Sequence, residues 1–249
     1  MTWNSPSHDD PEVRAAVWAS VCSAAELLSE RCKVYTSKSD ADEVQVRAGA
    51  ATPPDSVPTW RLVQALSLLL TLRNGEAVST PKVFNILGGT GPIEFLERGE
   101  RRFLWAQPQL SGGVSAMKGI PDLLVSATRD KPSHETTLRV IECKCDRGLG
   151  APQIRGEYGK AYDLGVSSYL VWSWYATAPK LVQAARTLGL DLEELGFDGP
   201  NRQRFLSRPE ALLIHMAKTI EQSRNDGRFA RVLELRASEI GEKIAKFGP

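Results

Sequence analysis

Apolar and polar residues follow two periods along this chain, a helical period towards both ends and a strand period in the centre. Apolar residues three or four positions apart predict seven helices, over residues 11–32, 59–72, 80–87, 152–164, 178–188, 208–224 and 227–246. Short apolar or alternating runs predict five strands, over residues 43–47, 103–109, 120–126, 138–145 and 166–174. Residues 92–98 are expected to add one or two further helical turns.

The predicted strands 120–126 and 138–145 are expected to pair as a hairpin across the polar loop 127–137. The centre of the chain then has the order β-β-β-α-β, with helices before and after it. This order predicts an α/β fold. Along the chain we expect three regions, which are a mainly helical N-terminal region (1–98), a central core (99–190) and a helical C-terminal extension (191–249).

The composition is that of a globular protein, since 42% of the 249 residues are hydrophobic and 24% are charged. No apolar run approaches the roughly 20 residues that cross a bilayer, so no membrane association is expected. The four cysteines lack the spacing of a disulfide framework and the N-terminus does not resemble a signal peptide, which together predict a cytoplasmic protein. The net charge is only +1, yet residues 98–160 carry 11 Lys and Arg against 7 Asp and Glu. This local excess is compatible with a polyanionic partner.

Three charged residues interrupt the central apolar runs. Asp122 follows Pro121 at the start of one predicted strand, and Glu142 and Lys144 lie near the end of the next. Side chains alternate between the faces of a strand, so Glu142 and Lys144 point to the same face. A buried carboxylate or ammonium is costly unless it is paired, coordinates a metal or reaches solvent.

Two carboxylates on adjacent strands suit Mg²⁺ or Mn²⁺, which retain several waters and accept phosphate oxygens. Asp122 and Glu142 are the predicted metal ligands, and the main-chain carbonyl of Cys143 is a further candidate. Lys144 is expected to position a water molecule or to stabilise developing negative charge. The competing interpretation is a surface ion pair at the ends of two strands. Four basic residues that flank the motif are candidates for contacts with a phosphate backbone, namely Lys118, Arg147, Arg155 and Lys160.

The runs Lys118-Gly-Ile-Pro-Asp-Leu-Leu-Val125 and Val140-Ile-Glu-Cys-Lys144 resemble the motif of the PD-(D/E)xK nuclease superfamily, which has the restriction-endonuclease-like fold. Within it the chain is most similar to the virus-type replication-repair nuclease (VRR-Nuc) group, in which a glutamine follows the Glu-x-Lys strand. Gln153 matches that glutamine. The resemblance covers residues 100–175.

The resemblance implies a mixed central sheet flanked by helices, Mg²⁺ or Mn²⁺ as cofactor and DNA as substrate. It assigns Asp122 and Glu142 as metal ligands, Lys144 as the catalytic lysine and Gln153 as an auxiliary catalytic residue. Many members use another glutamate before the first core strand, for which Glu94 is preferred over Glu97. Nucleases of this fold often dimerise, so a homodimer is expected by analogy.

The leading hypothesis is a metal-dependent DNA endonuclease in restriction, phage defence or DNA recombination and repair. The alternative is a nuclease-fold subunit that binds DNA or supports assembly and cleaves only with a partner or not at all. A nuclease that cuts RNA is a third interpretation.

Overall fold

The computed structural model describes residues 10–29, 59–73, 76–77, 91–108, 120–133, 135–144, 149–199, 201–224 and 227–247. Within these residues the chain forms seven helices and one seven-stranded sheet. In chain order the elements are α1 Pro11–Ser29, α2 Thr59–Arg73, β1 Glu76–Ala77, β2 Ile93–Glu97, β3 Glu100–Ala106, β4 Leu123–Ser126, β5 Thr137–Lys144, α3 Ala151–Leu164, β6 Ser168–Ser173, α4 Pro179–Thr187, β7 Asp191–Glu194, α5 Asn201–Ser207, α6 Pro209–Arg224 and α7 Arg228–Phe247.

The sheet is mixed, and its strands lie side by side in chain order. Neighbours from β1 to β5 are antiparallel, whereas β5, β6 and β7 are parallel to each other. Parallel neighbours need a long crossover connection, which α3 supplies between β5 and β6 and α4 supplies between β6 and β7. The predictions of an α/β fold and of a hairpin between the two central motif strands are confirmed.

Helices cover both faces of the sheet and create two hydrophobic cores. One core contains side chains of α1, α2, α5 and α6, and the other contains side chains of α3, α4 and α7. Strand β6 is buried at every position because it has helices on both sides. The chain therefore has three layers, with the ends of β4 and β5 between the two helical layers.

Helix α2 is the most deeply buried helix segment on its side of the sheet. Its apolar residues from Leu62 to Leu72 have no exposed surface, which confirms the predicted buried helix over residues 59–72. The same helix also buries the polar residues Gln64, Ser67 and Thr71. A polar side chain in such a place needs a hydrogen-bond partner, and the partner of Gln64 is the carboxylate of Asp122.

The prediction of helical turns over residues 92–98 is wrong, because these residues form β2. Ile93 and Phe95 are buried while Glu94 and Leu96 are partly exposed, which is the alternation of a strand. Arg98 and Gly99 both have positive φ angles, 56° and 80°. Two such residues form the turn that suits a two-residue hairpin, so β2 returns directly into β3.

The boundaries predicted at residues 98/99 and 190/191 cut across the sheet. Strand β2 precedes the first boundary and β7 follows the second, and one hydrophobic core extends from Val13 to Ile220. Sequence patterns did not predict β7 or the short helix α5. The predicted strand over residues 43–47 and helix over residues 80–87 lie outside the described residues. Among the described helices, none combines the length and the hydropathy that a bilayer crossing requires.

Candidate active site

Asp122 lies immediately before β4 and is held by three neighbouring elements. Its main-chain oxygen accepts a 2.9 Å hydrogen bond from the amide of Gln107 at the end of β3. Its carboxylate accepts a 2.7 Å bond from the amide of Cys143 on β5 and another 2.7 Å bond from Nε2 of Gln64 on α2. The position and orientation of the carboxylate are therefore fixed by both the sheet and the helix.

Glu142 and Lys144 point to the same face of β5, as the alternation predicts, and this face is covered by α3. Cys143 points to the opposite face, where its sulfur lies 3.8 Å from the hydroxyl of Ser67 on α2. The side chain of Glu142 is only 2% exposed, and Nζ of Lys144 donates to its Oε2 over 2.9 Å. Nζ of Lys160 on α3 donates to the other oxygen, Oε1, over 2.8 Å.

A second glutamate completes this arrangement. Glu157 on α3 lies 3.0 Å from Nζ of Lys144 and 3.3 Å from Nζ of Lys160, so each lysine bridges both glutamates. We call Glu142, Lys144, Glu157 and Lys160 the carboxylate–lysine ring. Charges of opposite sign alternate around it, and each of its four carboxylate oxygens contacts one ammonium group.

Tyr169 on β6 lies beneath the ring and is fully buried. Its hydroxyl donates a 2.6 Å hydrogen bond to Oε2 of Glu157 and lies 3.4 Å from Oε1 of Glu142. Burial raises the pKa of Tyr169 well above its usual range, and the negative charges of both glutamates raise it further. The tyrosine therefore remains protonated and acts as a fixed donor to the ring.

The two glutamates of the ring have pKa shifts in opposite directions. Burial raises the pKa of Glu142, and the charge of Asp122 raises it further, although Lys160 and Lys144 oppose both. Burial would also raise the pKa of Glu157, but the two lysines outweigh it and the pKa is lowered. Burial would lower the pKa of Lys144, but Glu142 and Glu157 outweigh it and the pKa is raised. Lys144 is thus an ammonium group at neutral pH, and an additional cation beside Glu142 would oppose the effect of burial on its pKa.

Two other predicted site residues, Gln153 and Arg155, lie on α3 outside the ring. Gln153 is exposed one helical turn before Glu157, and its Oε1 accepts a 2.7 Å bond from the amide of Gly150 at the start of α3. Gln153 is therefore a helix-capping residue in this structure. Arg155 is exposed on the same helix. Lys118 and Arg147 lie outside the described residues.

The structure does not bring Glu94 to the site. Its partner in β3 is Phe103, which in turn pairs with Ser126 on β4. Asp122 lies four residues before Ser126, about 13 Å away along the strand direction. Glu94 instead lies 3.6 Å from Arg101, and Glu97 forms a 2.7 Å ion pair with Arg139. On the helix before the sheet, the residue that contacts Asp122 is Gln64.

The donor atoms near Asp122 fit a divalent metal ion that binds few protein ligands. Oε1 of Gln64 is buried and has no hydrogen-bond partner among the described residues. Because Nε2 of this amide contacts Asp122, Oε1 lies within about 5 Å of the carboxylate. The carbonyl of Cys143 points to the same edge of β5 as its amide, which is the edge that faces Asp122.

Two carboxylates, a main-chain carbonyl and water molecules are ligands of the type that Mg²⁺ uses. Within the described part of the chain, no group of three or more His, Cys, Asp or Glu side chains forms a metal site by itself. A Mg²⁺ site here would therefore depend on Asp122, Glu142, oxygen atoms of the main chain or of Gln64, and water.

Sequence reasoning missed Gln64, Glu157 and Tyr169. Two of them left a signal in the sequence. Gln64 interrupts the apolar run of α2, and Glu157 lies one turn before Lys160 on the same side of α3. Tyr169 left none, since a tyrosine in an apolar strand is an ordinary core residue.

Comparison of the chain with models of protein families and with curated proteins found no match.

Proposed function

We propose that this chain is a metal-dependent nuclease that hydrolyses phosphodiester bonds in DNA, with Mg²⁺ or Mn²⁺ as its cofactor. The observation that carries the proposal is the meeting of two motif strands at one point. The carboxylate of Asp122 accepts a hydrogen bond from the amide of Cys143, and the two residues beside Cys143 are Glu142 and Lys144. These two form an ion pair, and Glu142 also contacts a second lysine, Lys160 on α3. Membership of the PD-(D/E)xK superfamily, near the VRR-Nuc group, belongs to the same proposal.

The charges of the site suit a phosphodiester. The carboxylate–lysine ring is neutral as a whole, so Asp122 gives the site a net negative charge. A bound divalent cation makes the net charge of the site positive, and the site then attracts a singly charged phosphodiester group. When bound, such an ion supplies positive charge for a phosphate oxygen and for the attacking water.

The protein's own groups would then act as follows. Asp122 and Glu142 hold the cation, and the Cys143 amide keeps Asp122 in position. Lys144, which remains an ammonium group, stabilises charge that develops on the phosphate. Arg155 is exposed on α3 and would contact the DNA backbone at the side of the site.

The direct test is incubation of supercoiled plasmid, linear single-stranded DNA and RNA with the protein and Mg²⁺ or Mn²⁺. We expect cleavage of DNA by the wild type and a loss of at least about 100-fold in Asp122→Ala and Lys144→Ala. Asp130→Ala and Lys180→Ala change exposed residues of the same types and serve as matched controls. Equal cleavage by all four variants would refute the site assignment.

The remaining outcomes separate the alternatives. DNA binding without cleavage, across metals and substrates, would favour a subunit that needs a partner to cleave or that only binds. Preferential cleavage of RNA would redefine the substrate. The homodimer expected by analogy is checked separately, by light scattering on the purified chain with and without DNA.

A further inference from the structure

Lys160 is the second ammonium group on Glu142, and the proposed metal chemistry does not require it. The lysine comes from α3, whereas Lys144 comes from the same strand as Glu142. Nζ of Lys160 contacts Glu142 over 2.8 Å and Glu157 over 3.3 Å. The side chain is 23% exposed, so part of it reaches solvent, whereas that of Glu142 is only 2% exposed.

Both oxygens of Glu142 are occupied by ammonium groups in this structure. Oε2 contacts Lys144 and Oε1 contacts Lys160. A cation that binds to Glu142 must therefore displace at least one lysine or share an oxygen with it. A displaced ammonium in a half-buried site is stabilised only if another anion keeps it there.

Glu157 is that second anion. It contacts both lysines and receives the 2.6 Å hydrogen bond from buried Tyr169, which fixes one of its oxygens. The side chain is 10% exposed, and its hydrogen bond from Tyr169 comes from β6, whereas Glu142 lies on β5. This bond keeps one oxygen of Glu157 in place when Glu142 exchanges a lysine for another cation.

We propose that Lys160 is the counter-cation that a divalent metal displaces from Glu142, and that Glu157 is a positioning residue that retains Lys144 and Lys160 after this exchange. This inference rests on the proposed function, because it assumes that Glu142 holds a metal ion. In the metal-free protein the two lysines contact both oxygens of Glu142. In the metal-bound protein they remain on Glu157 and face the incoming phosphate.

If a metal ion displaces Lys160 from Glu142, substitutions of Lys160 and Glu157 should change the affinity for Mn²⁺ in opposite directions. Lys160→Gln removes the competitor, so it should tighten Mn²⁺ binding by about tenfold. Glu157→Gln keeps the size and an acceptor for Tyr169 but leaves both lysines to Glu142 alone, so it should weaken Mn²⁺ binding by about tenfold. In the double variant the two effects should offset, giving an affinity within about threefold of the wild type.

Titration calorimetry with Mn²⁺ on the full chain measures these affinities without DNA. Lys160→Arg retains the charge and should bind Mn²⁺ like the wild type, and Lys180→Gln is the control for loss of an exposed lysine. Thermal denaturation establishes that each variant is folded. If Glu157→Gln does not fold, Glu157→Asp, which withdraws the carboxylate from the lysines, takes its place.

Three results would overturn the inference. Unchanged or weaker binding in Lys160→Gln would show that Lys160 does not compete with the metal. A double variant as weak as Glu157→Gln alone would make Glu157 a direct ligand. In both cases DNA cleavage by the wild type would leave the proposed function intact. No Mn²⁺ binding to the wild type would overturn the inference together with the proposed metal dependence.

Discussion

The amide of Cys143 donates a 2.7 Å hydrogen bond to Oδ2 of Asp122. This bond joins the two halves of the motif, which are 21 residues apart in the chain. It lies immediately beyond the last main-chain pair of β4 and β5, which is Leu123 with Ile141. The carboxylate of Asp122 is thus tied to the main chain of β5 between Glu142 and Lys144.

Substitutions of Gln64 test whether a cation binds beside Asp122. Gln64→Glu places a second carboxylate against Asp122, so the metal-free variant should be less stable than the wild type by about 1–3 kcal/mol. With Mg²⁺ present the added carboxylate becomes a further ligand, and the rise in melting temperature should exceed that of the wild type. Differential scanning fluorimetry with and without Mg²⁺ measures both effects. Gln64→Leu, which adds no ligand, should not gain this response, and an equal response in the two variants would contradict the prediction.

A substitution of Tyr169 measures how much the hydrogen bond from Tyr169 to Glu157 stabilises the fold. Tyr169→Phe removes a buried donor to a carboxylate and should lower the free energy of unfolding by about 1–2 kcal/mol. Urea denaturation followed by tryptophan fluorescence gives this value. Tyr162→Phe is the matched control, because Tyr162 is 46% exposed on α3 and its change should cost close to nothing. Similar losses in the two variants would argue against a structural role for the bond.

Asp10 makes a small contribution to stability that depends on pH. Its carboxylate accepts the amides of Glu12 and Val13 at the start of α1 and lies 2.7 Å from Arg202. Burial alone would raise the pKa of Asp10, but the contact with Arg202 and the two amides lower it below the ordinary value of 3.8. A carboxylate with a lowered folded-state pKa stabilises the fold above its unfolded pKa, and this contribution disappears as the pH falls through the folded value.

We therefore expect Asp10→Asn, which retains a helix-capping side chain, to be less stable than the wild type at pH 7 by about 0.5 kcal/mol. The difference should shrink as the pH falls below the ordinary value of 3.8, and it should also shrink in high salt. Urea denaturation over a pH range that extends below this value checks this. A difference that does not shrink there would mean that the effect does not come from the charge.

Two glycines should respond to alanine in opposite directions. Gly189 has a φ angle of +83°, and a Cβ atom there would lie 2.9 Å from Cα of Phe229 on α7. Gly189→Ala should therefore be destabilising by at least about 1 kcal/mol. Gly156 lies within α3 with no atom in the way, so Gly156→Ala should be stabilising by about 0.5–1 kcal/mol. Thermal and urea denaturation of both variants measure the difference, and the same sign in both would be the contrary result.

Most helices and central strands could be predicted from local patterns. The α3 helix, predicted over residues 152–164, spans Ala151–Leu164, and the strand predicted over residues 138–145 spans Thr137–Lys144. Residues 92–98 were harder, because the five residues Ile-Glu-Phe-Leu-Glu are too few to show a decisive period and the strand depends on pairing with β3. Strand β7 likewise forms because Leu170 and its neighbours offer it a parallel edge.

The sequence by itself determined that Glu142 and Lys144 share a face of one strand and that Asp122 lies at the beginning of the neighbouring hairpin strand, since alternation and hairpin pairing are local properties. It did not determine which residues approach those three from elsewhere. Gln64 is 58 residues from Asp122 in the chain, and Tyr169 is 27 residues from Glu142. Their contacts exist because helices pack on both faces of the sheet, and only the tertiary structure brings the amide of α2, the glutamate and lysine of α3 and the tyrosine of β6 to one place.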